Sequence, residues 1–364
     1  MKKILSVFLV LALTLSVFAG CGDEKTGENG KDEPLKVGFI YIGTRSDGGY
    51  TQAQHNGTKA MREHFGDKVK VITKESVDDQ DKQAIKNAAV SMIDQGCKVV
   101  IGTSFGYMDA LEELSKEYPD VDFLHFSGFK MNNKNFGNYF GATEEPRYLS
   151  GIVAGMQTKS NKIGYVAAHP YTEVLIGIDA FTLGVKSVNP KAEVKVVYIN
   201  SWYDPAKEKE AAEALLEQGC DILTQHCDTT GPLVAAADHG ATAIGYNMDN
   251  SQVVPKAFLT APIWHHEKFL IPTIQAILDG KWKPESYYGT IKDGYVDLAP
   301  MTDLVSDEAK AKVEEVKKQM QEGKFKVFVG PIKDNKGKVR VEKGQSLDRK
   351  KIWKINYLVE GATN

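Results

Sequence analysis

Lys162-Ile163-Gly164-Tyr165-Val166 repeats the order of Lys36-Val37-Gly38-Phe39-Ile40: lysine, aliphatic, glycine, aromatic, β-branched. Further on, Glu217-Gln218-Gly219-Cys220-Asp221-Ile222-Leu223 echoes Asp94-Gln95-Gly96-Cys97-Lys98-Val99-Val100 at a nearly equal offset. Two echoes that keep step imply two similar halves, and the spacing is far too long for a solenoid. Around the first echo the pattern alternates. Leu35 to Tyr41 reads as a strand, Gln54 to His64 as a helix, and Val69 to Lys74 as a strand. Asp81 to Gln95 is a helix with Ala84, Ile85, Ala88, Ala89, Met92 and Ile93 on one face. Lys98 to Thr103, Met108 to Glu117 and Asp122 to Phe126 continue as strand, helix, strand. This rhythm predicts an α/β fold of two lobes, each a doubly wound parallel sheet with flanking helices.

Crossovers between the lobes are expected near Phe140 to Pro146 and Thr260 to Trp264. They divide the chain into 35–143 plus about 264–300 for the first lobe, and 144–263 plus about 301–364 for the second. In the tail, Glu267 to Leu278 and Ser306 to Glu322 read as helices, and Val327 to Val341 as a hairpin turning at Asp334-Asn335-Lys336-Gly337. Two lobes joined by several crossings make a cleft that closes on a ligand by hinge motion.

The 364 residues are 42% hydrophobic and 26% charged, ordinary globular material, with a net charge of −3 and no basic block, which speaks against nucleic acid. The first residues stand apart from the fold. Met1-Lys2-Lys3 is a positive n-region, Ile4 to Phe18 an apolar core short for a membrane span, and Ala19-Gly20 precede Cys21. Residues 1–21 resemble a bacterial lipoprotein signal peptide ending in a lipobox, which makes Cys21 the lipidated residue. Residues 22–34 are polar and Gly-rich, a flexible tether. The protein is thus expected at the cell membrane, lipid-anchored on its extracytoplasmic face. Cys97, Cys220 and Cys227 form no disulfide or zinc pattern, and a Cys227–His226 nucleophilic pair is disfavoured because strand neighbours face opposite ways.

In open α/β sheets, ligands bind beyond the carboxyl ends of the strands. The run Val194 to Ile199 ends in Asn200-Ser201-Trp202-Tyr203-Asp204-Pro205, which places Trp202 at that edge, as either a plug over the sheet or a wall of the site. The other strand ends carry Gly43 to Thr51 with Tyr50 and Thr51, Ser104 to Asp109 with Phe105, and Pro170-Tyr171. They also carry His226 with Asp228, Tyr246 to Asp249, and Trp264-His265-His266. Rings outnumber charges, and no Arg or Lys cluster suits a phosphate. A flat, weakly polar ligand fits, held by stacking that is worth roughly 1–3 kcal/mol per contact. Asp109, Asn247 and Asp249 are able to accept from its N–H groups.

Four segments carry a resemblance: Glu145-Pro146-Arg147-Tyr148-Leu149-Ser150-Gly151, Gly184-Val185-Lys186-Ser187-Val188-Asn189-Pro190, Ser201-Trp202-Tyr203-Asp204-Pro205-Ala206-Lys207, and Leu278-Asp279-Gly280-Lys281-Trp282. Across the mature chain it resembles the basic membrane protein family of bacterial lipoproteins, substrate-binding components of ABC importers for purine nucleosides and nucleobases. The resemblance implies a periplasmic-binding-protein-like fold of type I, with a purine sandwiched between Tyr50 and Trp202 and polar contacts from Asp109 and Asp249. Phe105, Asp228 and Asn247 join the expected site. A lysine that contacts ribose in nucleoside binders is replaced by Trp264, and Gly49-Tyr50-Thr51 resembles the Gly-Trp-Thr of an adenine-linked subgroup.

The expectation is therefore a monomeric capture protein for a free purine base, adenine-like, with an ABC permease as partner and no cofactor. A nucleoside binder, or a lipoprotein that presents ligand to a receptor kinase, are the alternatives. His265-His266-Glu267 does not match the zinc helix, and there is no nucleophile elbow or phosphate-binding loop, so no enzyme or metal site is expected.

Overall fold

The structure, a computed structural model, describes residues 33–364. The signal peptide, Cys21 and residues 22–32 of the tether lie outside the described residues. The chain opens with β1 (Leu35–Ile40), α1 (Tyr50–Phe65), β2 (Val69–Lys74), α2 (Lys82–Asp94), β3 (Val99–Gly102), α3 (Met108–Glu117), β4 (Asp122–Phe126) and β5 (Phe136–Gly141). It continues with α4 (Glu144–Gln157), β6 (Lys162–Ala167), α5 (Thr172–Val188), β7 (Glu193–Tyr198), α6 (Pro205–Glu217), β8 (Ile222–His226), α7 (Gly231–Asp238), β9 (Thr242–Ile244) and β10 (Phe258–Thr260). The return passes through β11 (Pro262–Trp264), α8 (Glu267–Leu278), β12 (Ser286–Gly289) and β13 (Val296–Leu298). It ends with α9 (Asp307–Gln321), β14 (Ile332–Lys333), β15 (Val339–Val341), α10 (Arg349–Ile352) and β16 (Ala362–Thr363).

Two six-stranded sheets result, ordered β12-β5-β4-β3-β1-β2 and β10-β9-β8-β6-β7-β16. Their pairings are parallel throughout. Helices cover both faces, so central strands such as β3 (Val-Val-Ile-Gly) are buried along their whole length and read as unbroken apolar runs. The strands of the sequence echoes, β1 and β6, occupy matching places next to β3 and β8. Each sheet is completed by a strand from the return, β12 in the first and β16 in the second. The tail hairpin turns where expected: Asp334 Oδ1 accepts from the Lys336 and Lys338 amides at 3.0 and 2.9 Å.

One strand, β5, is missing from the sequence reading. The join expected near Phe140 to Pro146 is only two residues long, because β5 runs to Gly141 and α4 starts at Glu144. Phe136-Gly137-Asn138-Tyr139 looks like a loop by composition. The buried Asn138 is satisfied inside the sheet, however, donating to the Lys130 carbonyl at 3.0 Å and accepting from Ser286 Oγ at 2.7 Å. With its polar side chain paired, the strand costs little to bury. Two of the family-like segments meet in the second lobe: Gly184 of α5 lies against the Tyr148 backbone of α4, where a Cβ would come within 2.1 Å of an oxygen.

Candidate functional site

The carboxyl edges of the two sheets face one another across a narrow slot. From the first lobe it is lined by Ile42, Tyr50, Ser104, Phe105 and Ser127, and from the second by Glu173, Trp202, His226, Asp228 and Tyr246. Its volume is about 20 Å³, so the cleft stands closed. A slot this tight holds about one water, so any larger ligand enters only when the lobes part. Beside it opens a groove of about 660 Å³ that shares Phe105, Glu173 and Trp202 with the slot and adds Phe129, Tyr171 and Trp353.

Local chemistry fixes the walls. Tyr50 is the first residue of α1, and Asp47 caps that helix by accepting from the amides of Gly49, Thr51 and Gln52 at 2.9, 2.8 and 3.0 Å. The Tyr50 hydroxyl donates to the Thr103 carbonyl at the end of β3, and its ring leans on Phe126, 6.0 Å between centroids. On the other side, Asp204 caps α6 by accepting from the Lys207 amide at 3.1 Å, with Pro205 opening the helix. Asn200 has φ of 55°, a value asparagine tolerates, which turns the chain back toward the sheet. The Trp202 carbonyl then accepts from the Asp228 amide at 3.0 Å, which ties it to the end of β8. The indole is braced by His169 and Tyr171, at 5.2 and 6.0 Å. Each ring is held by its own lobe.

The lobes touch at the rim. Asn250 Nδ2 donates to the Gly48 carbonyl at 2.8 Å. Gly49 lies so near the Asp228 carbonyl that a Cβ would sit 2.2 Å from its oxygen. Inside, Ser127 Oγ donates to Glu173 Oε2 at 3.3 Å.

The slot is acidic. Burial pushes the Glu173 carboxyl up to about 7, partly offset by the Ser127 hydroxyl. Asp228 is pushed well above the carboxylate range by burial and then by Asp47, Glu208, Glu173 and Asp79. Burial, and then Arg147, hold His226 well below its usual range, so it is neutral and its 4.0 Å approach to Glu173 is no ion pair. Arg147 itself stands behind Tyr246, 3.8 Å from the ring centroid, donating to the Gln225 carbonyl at 2.8 Å.

Of the residues expected from sequence, Tyr50, Phe105, Trp202 and Asp228 come together here. Thr51 is buried one position away, its Oγ1 accepting from the Gly43 amide at 3.1 Å to brace the loop. Asp109 does not line the slot. It lies in the first turn of α3, 66% exposed, with Lys130 Nζ at 3.0 Å. Asp249 is exposed as well, and its Oδ1 accepts from the Ser251 amide at 2.8 Å. Asn247 and Trp264 meet each other, the indole N–H donating to Asn247 Oδ1 at 3.0 Å. With Asp249 they border a separate recess of about 220 Å³. The Trp264 ring stacks on His266 at 5.5 Å, interplanar angle 13°, inside the core. Helix and loop phase decide these outcomes: within one strand-end segment only every second or third side chain reaches the cleft.

Glu173, Ser104 and Ser127 were not singled out from sequence. The signal for Glu173 was its place in the first turn of the helix after β6, where a carboxylate suits the helix dipole. Cys227 turns away from the slot to donate to the Val166 carbonyl at 3.7 Å, while its neighbour His226 faces the cleft. Among the described residues no His, Cys, Asp or Glu group is arranged to hold a metal ion, and no helix is long and apolar enough to cross a membrane.

Comparison with known proteins places this architecture. Residues 35–328 match the family described as ABC transporter substrate-binding protein PnrA-like. A purine-binding protein of Brucella abortus is 38% identical over 332 residues, covering 91% of this chain and 93% of its own. A Haloferax volcanii protein named provisionally as an ABC transporter glucose-binding protein is 34% identical, covering 85% and 78%. Among solved structures, an ABC transporter solute-binding protein of Aeropyrum pernix superposes with a TM-score of 0.72 at 18% identity, over 82% of this chain and 94% of that one. The chain belongs to the PnrA-like family of ABC transporter substrate-binding proteins.

Proposed function

We propose that the protein captures a purine base, adenine-like, between Tyr50 and Trp202 and delivers it to an ABC importer. As a family member it serves such a transporter from the extracytoplasmic side, has a small-molecule ligand, and is not an enzyme. The purine reading rests on one observation above all. Aromatic rings from opposite lobes, Tyr50 and Trp202, line a slot of about 20 Å³ whose charged lining groups are carboxylates alone. Rings grip a flat heterocycle, and carboxylates accept from its N–H groups. The purine-binding relative in Brucella abortus supports the same class.

Closure follows from the lobe division 35–143 plus about 264–300 against 144–263 plus about 301–364, with the rim contacts at Gly48 and Gly49 made only when the lobes meet. Cys21 after Ala19-Gly20 supports a lipid anchor ahead of the folded body. A purine nucleoside is the second reading, favoured by the adjoining groove of about 660 Å³, which leaves room for a sugar beside the slot.

A thermal-shift screen of purine bases, nucleosides, pyrimidines and glucose tests this, because a ligand that binds only the folded state raises the melting temperature. The largest shift is expected from a purine base. A shift with glucose and none with any purine refutes the reading.

A further inference from the structure

Two carboxyl groups line the slot and no Lys or Arg is in its lining, whereas Lys350 and Lys354 line the adjoining groove that shares Glu173. Among the described residues no side chain donates a hydrogen bond to the Asp228 carboxyl. Glu173 receives only the long 3.3 Å bond from Ser127 on Oε2, and its Oε1 lies 4.0 Å from the neutral His226. The Arg147 guanidinium lies over the face of Tyr246 and gives Nη1 to the Gln225 carbonyl, while its Nε and Nη2 have no partner among the described residues. Buried charge left without a partner is costly, so whatever fills the slot is selected for the hydrogen bonds it offers these two groups.

They differ in kind. Burial, and then the further carboxyl groups of Asp47, Glu208, Glu173 and Asp79, push the Asp228 carboxyl well above the usual carboxylate range. Glu173 has Ser127 and His226 against it, with the phenol of Tyr50 on the opposite lobe and that of Tyr246 on its own, both pushed up by burial. Burial lifts its carboxyl to about 7, so it changes state near neutrality. An ionised carboxylate accepts from an amino group and repels an oxo group, whereas a protonated carboxyl donates to an oxo group.

Resting on the purine reading, we infer that Glu173 is the specificity-determining residue of the slot: ionised, it selects amino-purines such as adenine, and protonated, it admits oxo-purines such as hypoxanthine.

The test is calorimetric titration of the full-length protein with adenine and with hypoxanthine at pH 5.5 and 8.5. Hydrogen bonds to a charged group support a preference for adenine of roughly ten- to a hundredfold at pH 8.5, falling toward parity at pH 5.5. Glu173→Gln cannot titrate, so its preference is expected to be the same at both values. Glu173→Asp restores a titrating carboxyl and with it a pH-dependent ratio. Purine binding with a ratio that ignores pH in the wild type, or that shifts equally in Glu173→Gln, overturns the assignment of Glu173 and leaves the purine reading standing. No binding by either base overturns both.

Discussion

Gly49 offers a way to separate closure from contact with the ligand. Its Cα faces the second lobe so closely that an alanine methyl would stand 2.2 Å from the Asp228 carbonyl oxygen and 2.9 Å from its carbon. These are backbone atoms, joined through the Asp228 amide to the Trp202 carbonyl, so they cannot swing aside as a side chain would. Gly49→Ala therefore forces the lobes apart at the rim and threatens the Asn250–Gly48 bond of 2.8 Å. Overpacking typically costs about 1–3 kcal/mol. Here that cost falls on the closed state and spares the open one. Affinity should drop roughly 5- to 150-fold, although the substituted residue is absent from the slot lining. Fluorescence titration with the purine giving the largest thermal shift reads the affinity, and small-angle scattering of the saturated protein reads closure. Wild-type affinity with full closure would refute the rim contact as part of the bound state. A ligand-free melting temperature well below wild type would show instead that Gly49 serves folding.

Trp202→Ala removes one ring of the proposed sandwich, and at about 1–3 kcal/mol per stacked base should weaken purine binding roughly 5- to 150-fold and abolish most of the ligand-induced fluorescence change. Asp109→Asn and Asp249→Asn, outside the slot by 66% exposure in the first case and by a turn-capping bond in the second, should leave calorimetric affinity within about twofold, as surface changes remote from a site do. Glu144 is buried where α4 meets β12, its Oε2 accepting from the Tyr288 hydroxyl at 2.8 Å, and burial lifts its carboxyl from 4.5 to about 7. A carboxyl raised in the folded state contributes stability below the unfolded value, and that contribution is lost as pH rises through about 7. Glu144→Gln keeps an acceptor and cannot ionise, so denaturant unfolding should find it close to wild type at pH 5 and more stable at pH 8, by on the order of 3 kcal/mol at most.

The fold was legible because parallel sheets covered on both faces write themselves as apolar runs between amphipathic helices, and because β1 and β6 carry the same five-residue pattern. What stayed hidden was β5, where Asn138 and two glycines imitate a loop and only the partners on Lys130 and Ser286 make the strand affordable. The site was half legible for a related reason. Strand order predicts which segments reach the cleft, so Tyr50, Phe105, Trp202 and Asp228 arrived there. It does not predict which side chain of a segment turns inward. The short helical turn Phe105–Tyr107 ahead of α3 rotates Asp109 to solvent, and the φ of 74° at Asn247 points its amide at Trp264. Glu173 stands two residues past Tyr171, which is 47% exposed, and as a first-turn carboxylate it has no local sequence mark that separates it from an ordinary helix start.

A crystal structure of the protein with its preferred purine tests the central claim most directly. The base is expected between the Tyr50 and Trp202 rings, its edges hydrogen-bonded to Glu173 and Asp228. A purine found instead in the recess beside Asn247 and Trp264, or lying only in the groove between Phe129 and Tyr171, would contradict it.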